Sequence, residues 1–157
     1  MSTTQSTAGT LATAAAGLFA GSALFISAVE QPALLEVDPS GKLAAQRFGA
    51  MYKRAAPLQG ALALVGSAAA ITAAAQGGHC SRVLWGGSGA LLLSVWPYTL
   101  LAMMPTNKKL INKEGSEEER AELAQKWGRL HLYRTAAGLA SFTAMALALA
   151  RLEHKSG

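Results

Sequence analysis

The sequence predicts an all-α membrane protein, in which four transmembrane helices form one bundle and one domain. Of the 157 residues, 51% are apolar and only 15% are charged, whereas roughly a quarter of an ordinary soluble domain is charged. Charges are absent from four stretches of 29, 24, 25 and 16 residues, namely Met1 to Val29, Ala55 to Gly78, Val83 to Asn107 and Thr135 to Ala150. Because a helix needs about 20 apolar residues to cross a bilayer core, each stretch supplies one span. The fourth gains length if its helix begins near Leu130.

The first span is predicted over about residues 10–29. It carries Gly17 and Gly21 at the GxxxG spacing that lets a partner helix approach closely. The polar connector that follows, Glu30 to Arg54, contains the turn signal Asp38-Pro-Ser-Gly41. It is long enough to hold a short amphipathic surface helix at residues 42–51.

The second span is predicted over about residues 55–75 and the third over about 83–104, with a tight turn between them. Pro105 is expected to close the third span. In the second long connector, Ser116 is a candidate N-cap with Glu119 three residues later, which is the spacing of a capping box. The helix that begins there is predicted to run into the fourth span, over about residues 130–150.

Basic residues predict the orientation of the chain in the membrane. With four spans the termini share one side, which holds 3 Lys or Arg residues, and the two long connectors hold 10. Arg134 is the fourteenth and lies inside the fourth span. The positive-inside rule then places the connectors in the cytoplasm and both termini on the opposite side.

Several classes of function are excluded by composition. Cys80 is the only cysteine, so an intrachain disulfide, a thiolate zinc site and an iron–sulfur cluster are all excluded. No basic run with interleaved aromatic residues indicates nucleic-acid binding. Of the other histidines, His79 lies at the opposite end of the predicted bundle and His154 lies in the C-terminal tail. Glu30 and His131 are then the one conceivable metal pair, and two ligands are too few, so no metal site is predicted.

Polar residues close to the spans gather at the connector end of the predicted bundle. An ionisable group at membrane depth is costly and normally faces a partner or a watery cavity. The pattern therefore predicts a cleft that opens at one membrane face and binds a small molecule. Its candidate residues are Glu30, Tyr52, Gln59, Tyr98, Asn107, Trp127, His131 and Arg134.

Helical spacing places Trp127, His131 and Arg134 on one face of the fourth span. His131 is a candidate for proton transfer, since its unperturbed pKa lies near neutrality, and Asn107 is a candidate donor to an oxyanion. Structural alternatives stay open for each: an interfacial Trp127, a hydrogen-bonded His131, a snorkelling Arg134 and a helix-stopping Asn107. Glu30 could equally form an ion pair with Arg54 or Arg134, and Tyr52 and Tyr98 could be packing residues.

The sequence resembles the anthrone oxygenase-like family of membrane proteins. The resemblance rests on Pro105-Thr-Asn107 followed by a leucine, and on Trp127-Gly-Arg-Leu-His131-Leu-Tyr-Arg134 at the start of the fourth span. Tyr52-Lys-Arg54 with Pro57, and Glu30-Gln-Pro32, stand where that family also has polar and proline positions. The resemblance covers essentially the whole chain.

The resemblance implies an oxygenase that converts an anthrone-like polycyclic aromatic polyketide to a quinone with dioxygen, without a metal or a flavin. In that reading His131 is the base, Arg134 and Asn107 stabilise the enolate, and Trp127, Tyr98 and Tyr52 stack on the substrate, with Glu30 and Gln59 also at the site. The implied partners are a hydrophobic aromatic small molecule and the lipid bilayer, and self-association through the first span stays open.

A second class of function is left open by the residues themselves. A small Ala- and Gly-rich bundle could act as a lipid- or partner-binding scaffold, with anionic headgroups held at Lys42, Arg47, Lys53 and Arg54. The two classes predict different structures. A closed bundle with Arg134 paired only to Glu30 would favour the scaffold, and an aromatic-lined cavity around His131 would favour the enzyme.

Overall fold

Four long helices make up the computed structural model, which describes residues 3–154 and, for side chains, residues 3–151. They are α1 (Thr3–Val37), α2 (Lys42–Ala75), α3 (His79–Ile111) and α4 (Glu117–His154). Each is long and apolar enough to cross a membrane, so the chain is compatible with a multi-pass integral membrane protein. The all-α four-helix prediction is confirmed, and each predicted span lies inside one of these helices. Lys155, counted above on the side of the termini, lies outside the described residues.

The helices pack as a bundle in which α1 and α3 each lie mainly against both α2 and α4, and α2 also contacts α4. Small residues allow this close approach. Gly17 of α1 packs against the ring of Phe142 on α4, and a Cβ added to Gly17 would lie 3.0 Å from the nearest ring carbon. A Cβ added to Gly21 would have no neighbour within 4 Å. Of the GxxxG pair, Gly17 therefore contributes to packing between two helices of the same chain.

The connectors are shorter than predicted because helical structure extends into them. The expected surface helix at residues 42–51 is present as helix, but it is continuous with the second span in α2, with Ala44 and Phe48 buried. The predicted turn at Asp38 to Gly41 is confirmed, and Gly41 there has a φ of 85°. This left-handed conformation suits glycine, because it has no Cβ.

The start of α4 follows the predicted capping box. The Ser116 amide donates to the Glu119 carboxylate at 2.7 Å, and the Glu119 amide donates to the Ser116 hydroxyl at 3.2 Å. Lys42 at the start of α2 lies 3.6 Å from Glu117 and 3.2 Å from Glu118. These contacts join the two long connectors at one end of the bundle.

Two helices widen into π-helical turns at this end. In α1 the widened turn spans Ile26–Glu30, and in α3 it spans Thr99–Met103. Each lies just before a proline, Pro32 or Pro105. Proline has no N–H to donate, and its ring clashes with the carbonyl four residues earlier. In both helices that carbonyl belongs to the widened turn. The prediction that Pro105 ends its helix is wrong, because α3 continues through this residue to Ile111.

A candidate active site at the connector end of the bundle

A partly enclosed cavity lies between α2, α3 and α4 at the connector end. Its volume is about 110 Å³, well above the roughly 10–15 Å³ that one water needs. Most of its surface is apolar, and Trp96, Met103, Met104 and Leu100 contribute to it. Besides Trp96, the polar and aromatic residues that line it are Tyr52, Gln59, Thr99, Asn107, Trp127, His131 and Arg134. The cavity opens on the lateral face of the bundle, between α2 and α3. There Leu100 of α3 is exposed, and Ala56 and Gly60 of α2 are half-buried.

His131 lies at the inner wall of the cavity and is only 2% exposed. Its ring lies 4.8 Å from the ring of Trp127, one turn earlier on α4. Nδ1 lies 3.1 Å from the hydroxyl oxygen of Ser27, on the widened turn of α1. Since this contact occupies Nδ1, Nε2 is the ring nitrogen available to the cavity.

Arg134 is a positive charge in the bundle that no described carboxylate neutralises. It is 8% exposed, and within residues 3–151 the ion pairs are those of Lys42. Its guanidinium donates instead to neutral oxygens, the Thr99 hydroxyl at 2.5 Å and the Gln59 amide oxygen at 2.9 Å. Its Cζ also lies 5.4 Å from the centre of the Phe19 ring. This charge gives the cavity an affinity for an anionic group.

Gln59 is held in the orientation that Arg134 requires. Its Nε2 donates to Ser22 at 3.1 Å, and the Ser22 hydroxyl donates to the Phe19 carbonyl at 2.9 Å. With its nitrogen engaged in this way, the amide presents its oxygen to the guanidinium. The cation is therefore positioned by a chain of bonds that ends on the backbone of α1.

Asn107 and Trp127 both line the cavity, and each has a buried polar atom without a hydrogen-bond partner. Asn107 is fully buried, its Nδ2 donates to the Tyr52 hydroxyl at 3.3 Å, and its Oδ1 has no partner. The indole Nε1 of Trp127 is likewise buried without a partner. Buried polar groups without hydrogen bonds are costly, so these two atoms are candidates to bond a bound molecule.

Two predicted site residues lie away from the cavity lining. Tyr98 packs on Tyr133 with ring centres 4.2 Å apart, and its hydroxyl donates to the Leu130 carbonyl at 3.0 Å. Glu30 lies with Arg47 and Arg54 in a separate groove on the outside of α1 and α2. The ion pair suggested between Glu30 and Arg134 is not formed. In the described part of the chain, no group of three His, Cys, Asp or Glu side chains could hold a metal.

Sequence reasoning missed the residues that hold His131 and Arg134 in place, namely Ser22, Ser27, Thr99 and Thr135. Their signal is weak, because Ser and Thr within an apolar span usually bond only to their own helix. Pro32 and Pro105 were a better signal, since each predicts a disturbed helix just ahead of itself. Ser27 and Thr99 lie on the two disturbed turns. Widened turns of this kind are frequent at functional sites.

The structure therefore combines four helices apolar enough to span a membrane with a cavity lined by a buried histidine and by an arginine that has no carboxylate partner among the described residues. The chain matches the family model for anthrone oxygenase over residues 48–144. It is also 29% identical to an anthrone oxygenase of Claviceps purpurea, over 80% of this chain and 79% of that protein. No solved structure matches the chain. The chain belongs to the anthrone oxygenase family, as its sequence predicts, and this makes it an oxygenase-like enzyme.

Proposed function

We propose that the protein oxidises a flat, anthrone-like polycyclic aromatic polyketide to a quinone with dioxygen, inside the membrane and without a metal or a flavin. The observation that carries this proposal is the convergence of His131, Arg134 and Asn107 on one apolar cavity. The name of the Claviceps purpurea relative points to the same substrate class. A hydrophobic substrate in the bilayer reaches the cavity sideways, between α2 and α3.

The first step is proton removal by His131. The central methylene of an anthrone is acidified by its carbonyl and by the two flanking rings, so a neutral imidazole is a strong enough base when well placed. Nε2 takes the proton because Nδ1 is engaged by Ser27. A base positioned in this way contributes about 10²–10⁴-fold to a rate.

The negative charge that develops on the substrate oxygen is stabilised by Arg134 and by the Asn107–Tyr52 pair. The guanidinium is already fixed by Gln59 and Thr99, so it needs little rearrangement when the charge forms. Asn107 donates to the oxygen of Tyr52, which leaves the phenol proton free for the enolate. Tyr52 thereby acquires a hydrogen-bonding role, besides the stacking role inferred from the sequence.

The oxygen step needs no further reductant, because the substrate supplies all the electrons. The electron-rich enolate gives one electron to dioxygen, and the resulting superoxide and carbon radical combine to form a peroxide at the former methylene carbon. The imidazolium returns its proton to the peroxide. Loss of the remaining hydrogen on that carbon breaks the O–O bond, so that one oxygen stays as the new carbonyl and the other leaves in water.

The membrane orientation that fits this function has the long connectors in the cytoplasm. Ten of the basic residues lie at the connector end of the bundle, including Lys108 and Lys109 on α3 and Lys126 on α4. The cavity then lies near the cytoplasmic face, within reach of a hydrophobic substrate made in the cytoplasm. Reporter fusions at the N-terminus and within the second connector test this arrangement.

Turnover of a presented anthrone by the purified protein, with ¹⁸O₂ as the oxidant, tests the proposed reaction. Above the rate of spontaneous air oxidation, we expect one labelled oxygen in the quinone and one in water. His131→Ala should lower kcat by about 10²–10⁴-fold. His79→Ala is the matched control, since His79 is exposed at the opposite end of the bundle.

The proposal fails if His131→Ala and Arg134→Ala leave turnover unchanged, or if the label is absent from the quinone. Mass spectrometry of small molecules that copurify with the protein gives an independent result. A flat aromatic molecule supports the proposed substrate class, whereas phospholipid alone, held at Arg47 and Arg54, would support the lipid-binding alternative.

A further inference from the structure

His131 is one member of a row of hydrogen-bonded groups that ends on the backbone of α1. Its Nδ1 lies 3.1 Å from the Ser27 hydroxyl oxygen, and that oxygen lies 2.8 Å from the Thr135 hydroxyl oxygen. The Thr135 hydroxyl in turn donates to the Ala23 carbonyl at 3.1 Å. Thr135 is also one turn after His131 on α4, with its hydroxyl 3.5 Å from the His131 carbonyl.

If each of the three contacts is a hydrogen bond, the backbone end of the row sets the direction of every bond. A carbonyl oxygen only accepts, so the single Thr135 proton is directed at Ala23. A proton must still lie between the Thr135 and Ser27 oxygens, and only Ser27 has one left to give. The Ser27 oxygen therefore accepts from His131, which requires a proton on Nδ1. No other assignment places one proton in each of the three contacts.

We propose that Ser27 and Thr135 are positioning residues that hold neutral His131 as its Nδ1–H tautomer and direct the basic Nε2 lone pair into the cavity. This inference rests on the proposed function for its consequence, since a base at Nε2 matters only if the substrate has a proton to give. In the opposite tautomer Nε2 would carry a hydrogen and could not remove that proton.

The widened turn in α1 makes this arrangement part of the fold. Ser27 lies within Ile26–Glu30, on a helix that Pro32 disturbs. The Ser27 side chain faces α4, where it bonds to two residues one turn apart rather than to its own helix. A serine hydroxyl in an apolar helix usually bonds to a carbonyl of its own preceding turn.

Nitrogen NMR of ¹⁵N-histidine-labelled protein in lipid tests the tautomer without any substrate. The His131 signals are assigned by their loss in His131→Asn. We expect the wild type to show a protonated Nδ1 and an unprotonated Nε2. In Ser27→Ala the ratio of Nδ1–H to Nε2–H should fall about fivefold or more, as loss of a neutral hydrogen bond predicts. Thr135→Val should lower this ratio too, whereas the conservative variant Thr135→Ser keeps the hydroxyl and should show the wild-type signals.

Steady-state kinetics give the second readout. Ser27→Ala should lower kcat about tenfold, less than the 10²–10⁴-fold contribution of the general base itself, and leave KM nearly unchanged. The matched controls are Ser88→Ala and Thr72→Val, because these hydroxyls bond only to carbonyls of their own helices. They should change neither kcat nor the NMR signals.

A wild-type Nε2–H tautomer, or unchanged His131 signals in both Ser27→Ala and Thr135→Val, would overturn the inference. The NMR result does not depend on turnover. A chain with the expected tautomers that oxidises no anthrone would therefore contradict the proposed function alone, and the positioning of His131 would stand.

Discussion

The two halves of the bundle use the same four helices in different ways. Near the termini the buried core is mostly alanine around a few large side chains, Phe19, Trp85, Leu92 and Met145. Near the connectors the core has more large side chains, including Phe48, Met103, Leu110 and Trp127, beside the cavity and its polar groups. The turns of α1 and α3 also widen only at this second end, within the described residues.

The difference indicates how a small bundle combines stability with a polar site. Alanine and glycine allow regular helices to approach closely, so the terminal half gains stability from backbone-to-backbone packing. A widened turn instead changes which side chains face the interior and leaves space beside them. The terminal half therefore serves as the support, and the connector half holds the proposed site.

Trp85 and Trp127 test this division most directly, because the same residue type is buried in each half. Trp85→Ala should lower the free energy of unfolding by about 3–5 kcal/mol, as large core truncations do, while the folded fraction keeps its kcat. Trp127→Ala should lower kcat and raise KM, because its ring contacts His131 and lines the cavity. Denaturant unfolding and quinone formation measure the two effects.

Conservative variants at the same positions control for misfolding. Trp85→Phe and Trp127→Phe each remove an indole N–H that has no partner in the described protein. Only Trp127→Phe should raise KM, since Trp127 lines the cavity and Trp85 does not. Equal loss of activity in both variants would contradict a division of labour between the halves.

Arg134→Lys is expected to have the next largest effect. A lysine keeps the charge but cannot donate to Gln59 and Thr99 in the same fixed plane. Loss of one well-placed donor to a developing oxyanion lowers kcat by about 10²–10³-fold. Arg82→Lys, at an exposed position near the start of α3 at the other end of the bundle, is the control. Wild-type kcat in Arg134→Lys would show that charge alone is sufficient.

Thr99→Val tests whether the widened turn of α3 positions the cation. Arg134 would lose one of its two acceptors, and a hydrogen bond to a charged group is worth about 1.5–3 kcal/mol. We expect kcat to fall about tenfold, a smaller loss than in Arg134→Lys. Thr72→Val should leave kcat unchanged, since the Thr72 hydroxyl bonds only to the Ala68 carbonyl.

The sequence predicted the four helices and most of the cavity, but little of what orders its side chains. The gaps between charges located the spans, and helical spacing placed Trp127, His131 and Arg134 together, because both signals survive in a regular helix. Of the residues that were missed, Ser27 and Thr99 lie on widened turns, where regular spacing fails. Ser22 and Thr135 lie on regular helix, where a hydroxyl usually bonds only to its own helix. Tyr98 was misplaced for a similar reason: it lies directly before the widened turn of α3 and faces Tyr133.

The smallest expected effect lies in the first connector, outside both halves. Hydrogen bonds from the Ser40 hydroxyl and from the amides of Leu43 and Ser40 lower the pKa of Asp38 below its ordinary value of 3.8. A carboxyl with a depressed pKa in the folded state adds stability above its unfolded pKa, and this stability is lost as the pH falls through the folded pKa. The thermal midpoint of the wild type should therefore drop more steeply below pH 3.8 than that of Asp38→Asn.

Activity at neutral pH should be the same in Asp38→Asn and the wild type, because Asp38 is not among the residues that line the cavity. Glu36→Gln, which removes an exposed carboxyl at the end of α1, is the matched control for the loss of a negative charge. If Asp38→Asn kept the wild-type acid slope, the acid sensitivity of the bundle would have to come from other carboxyls. Glu118 would be the next to test, since its pKa is also lowered by its own backbone and by Lys42. A change in kcat would instead mean that the connector turn and the cavity are coupled. The half that holds the proposed site would then depend on the connector outside it.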